Sequence, residues 1–396
     1  MTAPGKPHVL IIGPGLGDLA LAQALHQQDI LVEAFQPSLD PRFQAWTIGH
    51  NSVIDELMMS LPSQTPHLST VEVFLPLALP TQTTFNPNHG AQSAGNEVFF
   101  RRDGQYLQPR LANNTPVHFD KIVSTLHEGA DGRITVHFTD STRATGDIVV
   151  GAEGFSSALR QNPVQPDPAH VLPMTTMLGG LTVPGSEFGR QLELRYSGYA
   201  TGDAGLQNDG REKMSVGLGP ASADDPSGGY YYWSMTDGTS TASGSPQWLS
   251  SDMPETASGV IEKTGLMQPD VTEATPSFRE REIQSLPAGD TTLLGDAAHC
   301  MTLSVRGEGG VQAMRHALHL SRTMANSGAT KSEVQQMMAE YQEKMLRKGG
   351  DAIGLSREQW TRGSEATRAS WSAEGTILPP QKVSAGDCPF VKLGFF

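Results

Sequence analysis

Near the start of the chain, His8-Val9-Leu10-Ile11-Ile12-Gly13-Pro14-Gly15-Leu16-Gly17-Asp18 restricts the fold more than any other segment. His8 to Ile12 is a short apolar run rich in β-branched residues, too compact for a helix, and reads as a buried parallel strand. Gly13 and Gly15 supply a tight turn, Leu19 to Leu25 starts a helix of alanines and leucines, and Ile30 to Phe35 follows as a second strand. A strand, glycine turn and helix in that order aim free backbone N–H groups and the positive end of the helix dipole at an anion. The usual guest of such a turn is a dinucleotide pyrophosphate. The fingerprint is incomplete: the third glycine of the pattern is Asp18, whose charge would cost free energy beside phosphate. At the end of the second strand, where an acid normally accepts the ribose hydroxyls, stands Gln36, a weaker uncharged acceptor. Taken alone, the segment fits either a nucleotide site or a unit retained as scaffold.

Two later blocks share the logic of a strand that ends in a glycine turn. Asp290 to Asp296 reads as a strand closing on Gly295-Asp296, with Ala297-Ala298-His299-Cys300-Met301 and Arg306-Gly307-Glu308-Gly309-Gly310 after it, and Gly309 to Met324 has helical spacing. Asp147-Ile148-Val149-Val150-Gly151-Ala152-Glu153-Gly154-Phe155-Ser156-Ser157-Ala158-Leu159-Arg160 is the other. An Asp capping a helix would account for Asp296 alone, but not for the ordered set around it.

With these three blocks in this order, the chain resembles the FAD-dependent aromatic hydroxylases, the group A flavoprotein monooxygenases, and in particular those of fungal secondary metabolism. The resemblance implies an α/β fold. A Rossmann-like FAD-binding domain would come from residues 1–165 and 275–330, an interleaved antiparallel-sheet substrate domain from 166–274, and a helical C-terminal segment and tail from 331–396. It implies that Gly13, Gly15, Gly17 and Gln36 hold the dinucleotide end of FAD, and that Asp296, after Gly295, meets the ribityl chain. Gly307, Gly309 and Gly310 would approach the flavin, and Glu153 and Gly154 stand in the family's Asp-Gly motif with Ser157 and Arg160 at its spacing. Arg42, in Pro41-Arg42-Phe43-Gln44, and Arg101 or Arg102 fall near arginines that contact the cofactor in that family, although each also reads as an ordinary surface charge.

The departures are as specific as the matches. Met301-Thr302 is followed by Leu303 where the family has Pro, Val311 stands where Asn is expected, and His316 where Asp is expected. His299 is a weak candidate for a catalytic residue, balanced by a purely structural role at a helix start. No catalytic base and no metal site is legible. Arg195, Tyr196, Tyr199, Tyr230 to Tyr232 and Trp233 are candidates for the substrate sheet, though aromatics on a sheet are usually packing.

The remaining composition narrows the setting. A chain of 396 residues is ample for a full core in one large or two intimate domains. A net charge of −14 with no basic stripe argues against nucleic-acid binding. Nothing approaches the run of ~20 apolar residues that a spanning helix needs, and Met1 to Pro7 lacks a signal-peptide apolar region, so a cytoplasmic location is the default expectation. The two cysteines, Cys300 and Cys388, argue against a disulfide framework, and Cys300 reads as a packing residue. Strand-like segments at Gln191 to Ser197, Glu212 to Leu218 and Tyr230 to Thr236 predict an antiparallel sheet. Val334, Met337, Met338, Tyr341, Met345 and Leu346 form a helical stripe in a tail expected to be helical from Lys331 to Trp371.

Three functions remain open on the sequence. The resemblance implies monooxygenation, in which NAD(P)H supplies electrons through FAD and one atom of O₂ enters a hydrophobic small molecule. The altered contacts also fit a redox-neutral cyclase or isomerase that uses only a shaped cavity, with FAD structural or absent. A non-catalytic small-molecule-binding protein is the third.

Overall fold

The computed structural model describes residues 6–13, 15–37, 47–49, 53–62, 83–86, 90–93, 101–103, 111–161, 170–172, 175–186, 198–201, 212–220, 229–237, 270–275, 278–287, 289–301, 308–325 and 330–361. They fall into two units. The first comprises Met1–Leu68, Phe100–His170 and Arg279–Arg357, and the second Ser69–Phe99, Val171–Phe278 and Glu358–Phe396.

In the first unit the chain runs through β1 (His8–Ile12), α1 (Leu16–His26), β2 (Leu31–Phe35), α2 (Ile54–Ser60), β3 (Val117–His118), β4 (Ile148–Gly151), α3 (Ala158–Gln161), β5 (Thr291–Leu293), α4 (Asp296–His299), α5 (Glu308–Ala325) and, as far as Arg357, α6 (Lys331–Thr361). The five strands form one parallel sheet in the order β5-β4-β1-β2-β3. β1 is therefore central, which is why Val9 to Ile12 have no accessible surface and could be apolar without alternation. A three-stranded antiparallel sheet, Val123–Glu128, Ile134–Phe138 and Arg143–Gly146, precedes β4. Asp147 fastens it to the parallel sheet: one carboxylate oxygen accepts the Arg133 Nε–H at 3.1 Å and the other the backbone N–H of His8 at 2.7 Å.

α1 and α5 lie against each other at van der Waals distance. A Cβ built on Gly17 would come within 2.8 Å of the Ala313 Cβ, so a side chain there would force the helices apart. Their shared core holds Leu19, Ala20, Val311, Met314 and Leu318, with Val53 and Leu57 from the α2 region. Along α6, Val334, Met337, Met338, Tyr341 and Met345 are buried in the main core, as their spacing predicts. Burying each such side chain contributes ~1.5–3 kcal/mol. Tyr341 also donates its hydroxyl to the Leu293 carbonyl at 3.4 Å, and Gln342 Nε2 donates to the Thr291 carbonyl at 3.2 Å, which ties α6 to β5.

The second unit carries a seven-stranded sheet in the order Asp270–Thr275, Thr175–Val183, Gly229–Asp237, Glu212–Pro220, Gly198–Thr201, Thr83–Asn86, Gly90–Ser93. All neighbours pair antiparallel except Gly198–Thr201 with Thr83–Asn86. The strands predicted from Glu212 and Tyr230 are present, with Val216 opposite Trp233 and Leu218 opposite Tyr231. The segment Gln191 to Ser197 and the tail beyond Thr361 lie outside the described residues. Among those described, no helix is long and apolar enough to cross a membrane.

Candidate active site

Strand order decides where a site can form. From β1 the chain moves through β2 to β3 on one side, then returns to place β4 and β5 on the other. The crevice at the carboxyl ends of β1 and β4 is the switch point at which open α/β sheets bind ligands. The three glycine-turn motifs, far apart in sequence, all end at this edge. Past the strands the ladder continues through Gly13 N–H to the Phe35 carbonyl (2.8 Å), Ala152 N–H to the Ile12 carbonyl (2.7 Å) and Leu294 N–H to the Gly151 carbonyl (2.9 Å).

Gly13 is required twice over. Its φ of +80° is in the left-handed region, and a Cβ there would lie 2.6 Å from the Glu153 Cα, a backbone atom that cannot swing aside. The N-terminus of α1 can thus sit directly against the end of β4. Gly15 precedes the helix in an extended conformation, and its N–H is one of the donors the turn would offer an anion.

Asp18 has already taken that donor. Its carboxyl folds back so that Oδ2 accepts the Gly15 N–H at 3.0 Å. Only 5% of its surface is accessible, and Oδ1 has no hydrogen-bond partner among the described residues. Burial, which removes water from the charged form, pushes this carboxyl up to about 8 against the lowering effect of the Gly15 and Asp18 N–H groups, and the nearby Asp296 adds to the rise. The residue that marks the motif as atypical therefore shifts the turn toward a neutral acid.

Gly295, at φ +61°, turns the chain out of β5 and presents Asp296 in the first turn of α4. Solvent reaches Asp296, while the protein packed around it limits hydration and pushes its carboxyl up to about 6. Gly309 and Gly310 open α5 beside it: a Cβ on Gly309 would stand 3.9 Å from Asp296 Oδ1 and 3.7 Å from Met301 Cγ. A flat ligand can therefore approach backbone on this side.

Glu153 does not point into open space. Its Oε2 accepts the Ser157 hydroxyl at 2.8 Å and the Leu159 N–H at 3.1 Å, which caps α3. Next to it Gly154, at φ +72°, has nothing within 4 Å of where a Cβ would be. Arg160 is buried and bridges two motifs, donating to the Ala297 carbonyl at 3.0 Å and to the Phe155 carbonyl. Arg281 lies over the Phe155 ring, 4.6 Å from its centroid.

His299 is not at the open edge. Only 2% of it is accessible, and its Nε2 meets Nδ1 of equally buried His316 at 2.8 Å, the rings crossing at 80°. Burial holds His299 down at about 4 and His316 at about 2, the latter lowered further by His299, Lys348, His319 and Arg315. Both rings are therefore neutral near physiological pH. His316, at the Asp position of the resembling family, is the residue that sequence reading could not assign, since nothing local announces a partner seventeen residues away. Gly349 of α6 closes over the pair, with a Cβ there falling 2.8 Å from that of His299. Val311, at the Asn position, is likewise turned into the α1–α5 core. Cys300 is buried, with burial pushing its thiol up, as a packing residue would be.

Of the other candidates, Gln36 lies just past β2, where its N–H donates to the His118 carbonyl at 2.8 Å and its carbonyl accepts from Lys121 at 2.9 Å. Arg101 and Arg102 belong to the strand Arg101–Asp103, paired with Thr47–Gly49. Tyr199, Tyr230 to Tyr232 and Trp233 lie on strands of the second unit. Arg42, Arg195, Tyr196, Leu303 and Gly307 lie outside the described residues.

No protein-family model matches the chain. It is 32% identical over 405 residues to FAD-dependent monooxygenase thnD of Trichoderma harzianum, an alignment covering 95% of this chain and 97% of that one. Among solved structures it is similar to 2,6-dihydroxypyridine-3-hydroxylase from Arthrobacter nicotinovorans, with TM-score 0.67, 14% identity, and coverage of 96% of this chain and 100% of that one. It is also similar to Klebsiella pneumoniae HpxO complexed with FAD and uric acid, with TM-score 0.65, 20% identity and 92% of each chain covered. The structural likenesses show the fold, and the sequence match over nearly the whole of both chains shows the family, which favours oxygenation over the redox-neutral and non-catalytic readings. Three glycine turns gathered at the carboxyl edge of a parallel sheet, a second unit built on a mostly antiparallel sheet, and a relative matched over nearly its whole length lead to one conclusion: the chain belongs to the FAD-dependent monooxygenases.

Proposed function

We propose that the chain inserts one oxygen atom into a hydrophobic small molecule, a secondary metabolite, using FAD held at the carboxyl edge of the first unit and NAD(P)H as reductant. The gathering of the Gly13, Gly154 and Gly295 turns at the β1–β4 crevice carries this reading, because it brings three chain-distant glycine turns, with open space at Gly154, to the edge where such sheets bind ligands. The fit is good at that edge and strained at one residue, Asp18. In our assignment the α1 N-terminus and the Gly13–Gly17 turn receive the pyrophosphate, Gln36 accepts from the ribose, and Asp296 accepts from the ribityl hydroxyls. Gly307, Gly309 and Gly310 leave space beside the ring, and Arg42, Arg101 and Arg102 are the cationic candidates. Glu153 and Gly154 shape the turn rather than bind, since the Glu153 carboxylate is engaged by Ser157 and Leu159. His299, buried against His316, supports α4 and moves no proton in the reaction.

When bound and reduced, FAD supplies the activation of O₂. The chain's share is to hold the cofactor and substrate in register and to keep water out. The first unit is the cofactor domain in this reading and the sheet of the second unit the substrate domain.

Asp296→Ala tests the assignment. Losing charge-assisted hydrogen bonds at ~1.5–3 kcal/mol should weaken FAD retention about 10- to 100-fold. The flavin absorbance of purified protein and a titration of apo protein at neutral pH measure it, and unchanged affinity would remove Asp296 from the site. For the reaction, turnover should stop without O₂ and the product should gain the mass of one oxygen atom. A product isomeric with its substrate, formed anaerobically without NAD(P)H, would overturn the proposal.

A further inference from the structure

Asp18 occupies the third-glycine position of the phosphate turn, where a small, uncharged residue is expected, and it does so buried, with one oxygen on the turn's own amide. We infer that Asp18 joins the cofactor seat as a neutral, hydrogen-donating acid, and that its carboxylate form repels the FAD pyrophosphate. The inference rests on the assignment of FAD to this turn.

The geometry leaves little choice. Oδ2 is fixed on the Gly15 N–H at 3.0 Å, and Oδ1, in the same carboxyl, is buried without a partner. A carboxylate there would leave Oδ1 as a desolvated acceptor beside Asp296 and add its charge to a diphosphate carrying its own. The acid instead turns Oδ1 into an O–H donor at the turn, suited to a phosphate oxygen. The ionisable groups that face it agree. Asp296 from α4 is acidic and raises it, and Tyr341 of α6, raised by burial and further by Asp18, brings no positive charge. Glu153 past β4 is turned to Ser157 and Leu159, and α5 meets this end of α1 through Ala313. The backbone N–H groups of Gly15 and Asp18 are the opposing influence, and burial outweighs them, taking Asp18 to about 8.

FAD affinity of the apo protein, followed by quenching of flavin fluorescence from about pH 6.5 to about pH 9.5, should fall by roughly tenfold across the alkaline half as Asp18 ionises. Asp18→Asn, neutral at all pH and still able to accept the Gly15 N–H, should bind FAD with a flat profile and exceed the wild type at the alkaline end. Parallel profiles for the two proteins would overturn the inference. A second measurement needs no cofactor. The folded-state value lies above the unfolded one, so the stability of wild-type apo protein relative to Asp18→Asn should decline as pH rises from about 4 to about 8 and then level off. A flat difference would show an ordinary carboxylate and defeat the inference even if FAD binds. A declining difference with no FAD binding in either protein would instead remove the turn from the cofactor site, and the inference with it.

Discussion

Gly13→Val should unfold the turn that the site is built on, with a loss on the order of 3–5 kcal/mol in chemical denaturation and no retained flavin. Two independent costs add. A β-branched residue at φ +80° is strained whatever surrounds it, and the Cβ would lie 2.6 Å from the Glu153 Cα and 2.8 Å from the Glu153 nitrogen. Neither backbone atom can move without shifting the end of β4, which is paired with β1 from Ile148 to Gly151. Gly154→Ala is the internal control, because Gly154 shares the positive φ, at +72°, but has open space around a Cβ. It should lose only the conformational part, roughly 1–2 kcal/mol. Equal losses for the two variants would mean that β1 and β4 do not approach as closely as the structure has them.

The second large effect is on acid stability. His299 and His316 are held at about 4 and about 2 in the folded protein, below the ordinary histidine value near ~6.5 that applies once the chain unfolds. Between these values the unfolded chain binds more protons than the folded one, so stability falls as pH drops from about 6.5 toward 4. At about 1.36 kcal/mol per unit for each ring, the pair should lose roughly 3–5 kcal/mol by pH ~4.5. Asp18 and Asp296, both raised, act in the opposite direction over much of this range, so the comparison must be between wild type and a His299→Asn, His316→Leu double variant. The variant should be less stable near neutrality, where the 2.8 Å hydrogen bond and the packing under Gly349 are lost, and should show a clearly shallower acid slope. Identical slopes would show that neither imidazole is held neutral in the folded state.

The same pair shows why altered motif residues need not damage a fold. His316 stands where the resemblance implies Asp, and His299 supplies a complementary ring inside the protein. At Asp18 the change is answered by protonation, since a neutral acid satisfies a buried setting that a carboxylate cannot. Val311 is answered by apolar packing between α1 and α5.

Much of the framework was legible in order along the chain. The β-branched run His8 to Ile12, the glycine turn, the Gly295-Asp296 turn, the Glu308–Ala325 helix and the apolar stripe of α6 are each set by periodicity and backbone stereochemistry within a few residues. The strand near Tyr230 was legible for the same reason. The sequence also carried the warning at Asp18, because a carboxylate in a phosphate turn is a local contradiction. It could not show which way that side chain turns, that Gly13 must be glycine because of Glu153 some 140 residues on, or that His299 meets His316 rather than substrate. Nor could it show that Glu153 caps α3 and that Arg160 reaches the Ala297 carbonyl. These are contacts between chain-distant segments, fixed only when strand order brings β4 and β5 beside β1, and no local pattern records a distance that the sheet creates.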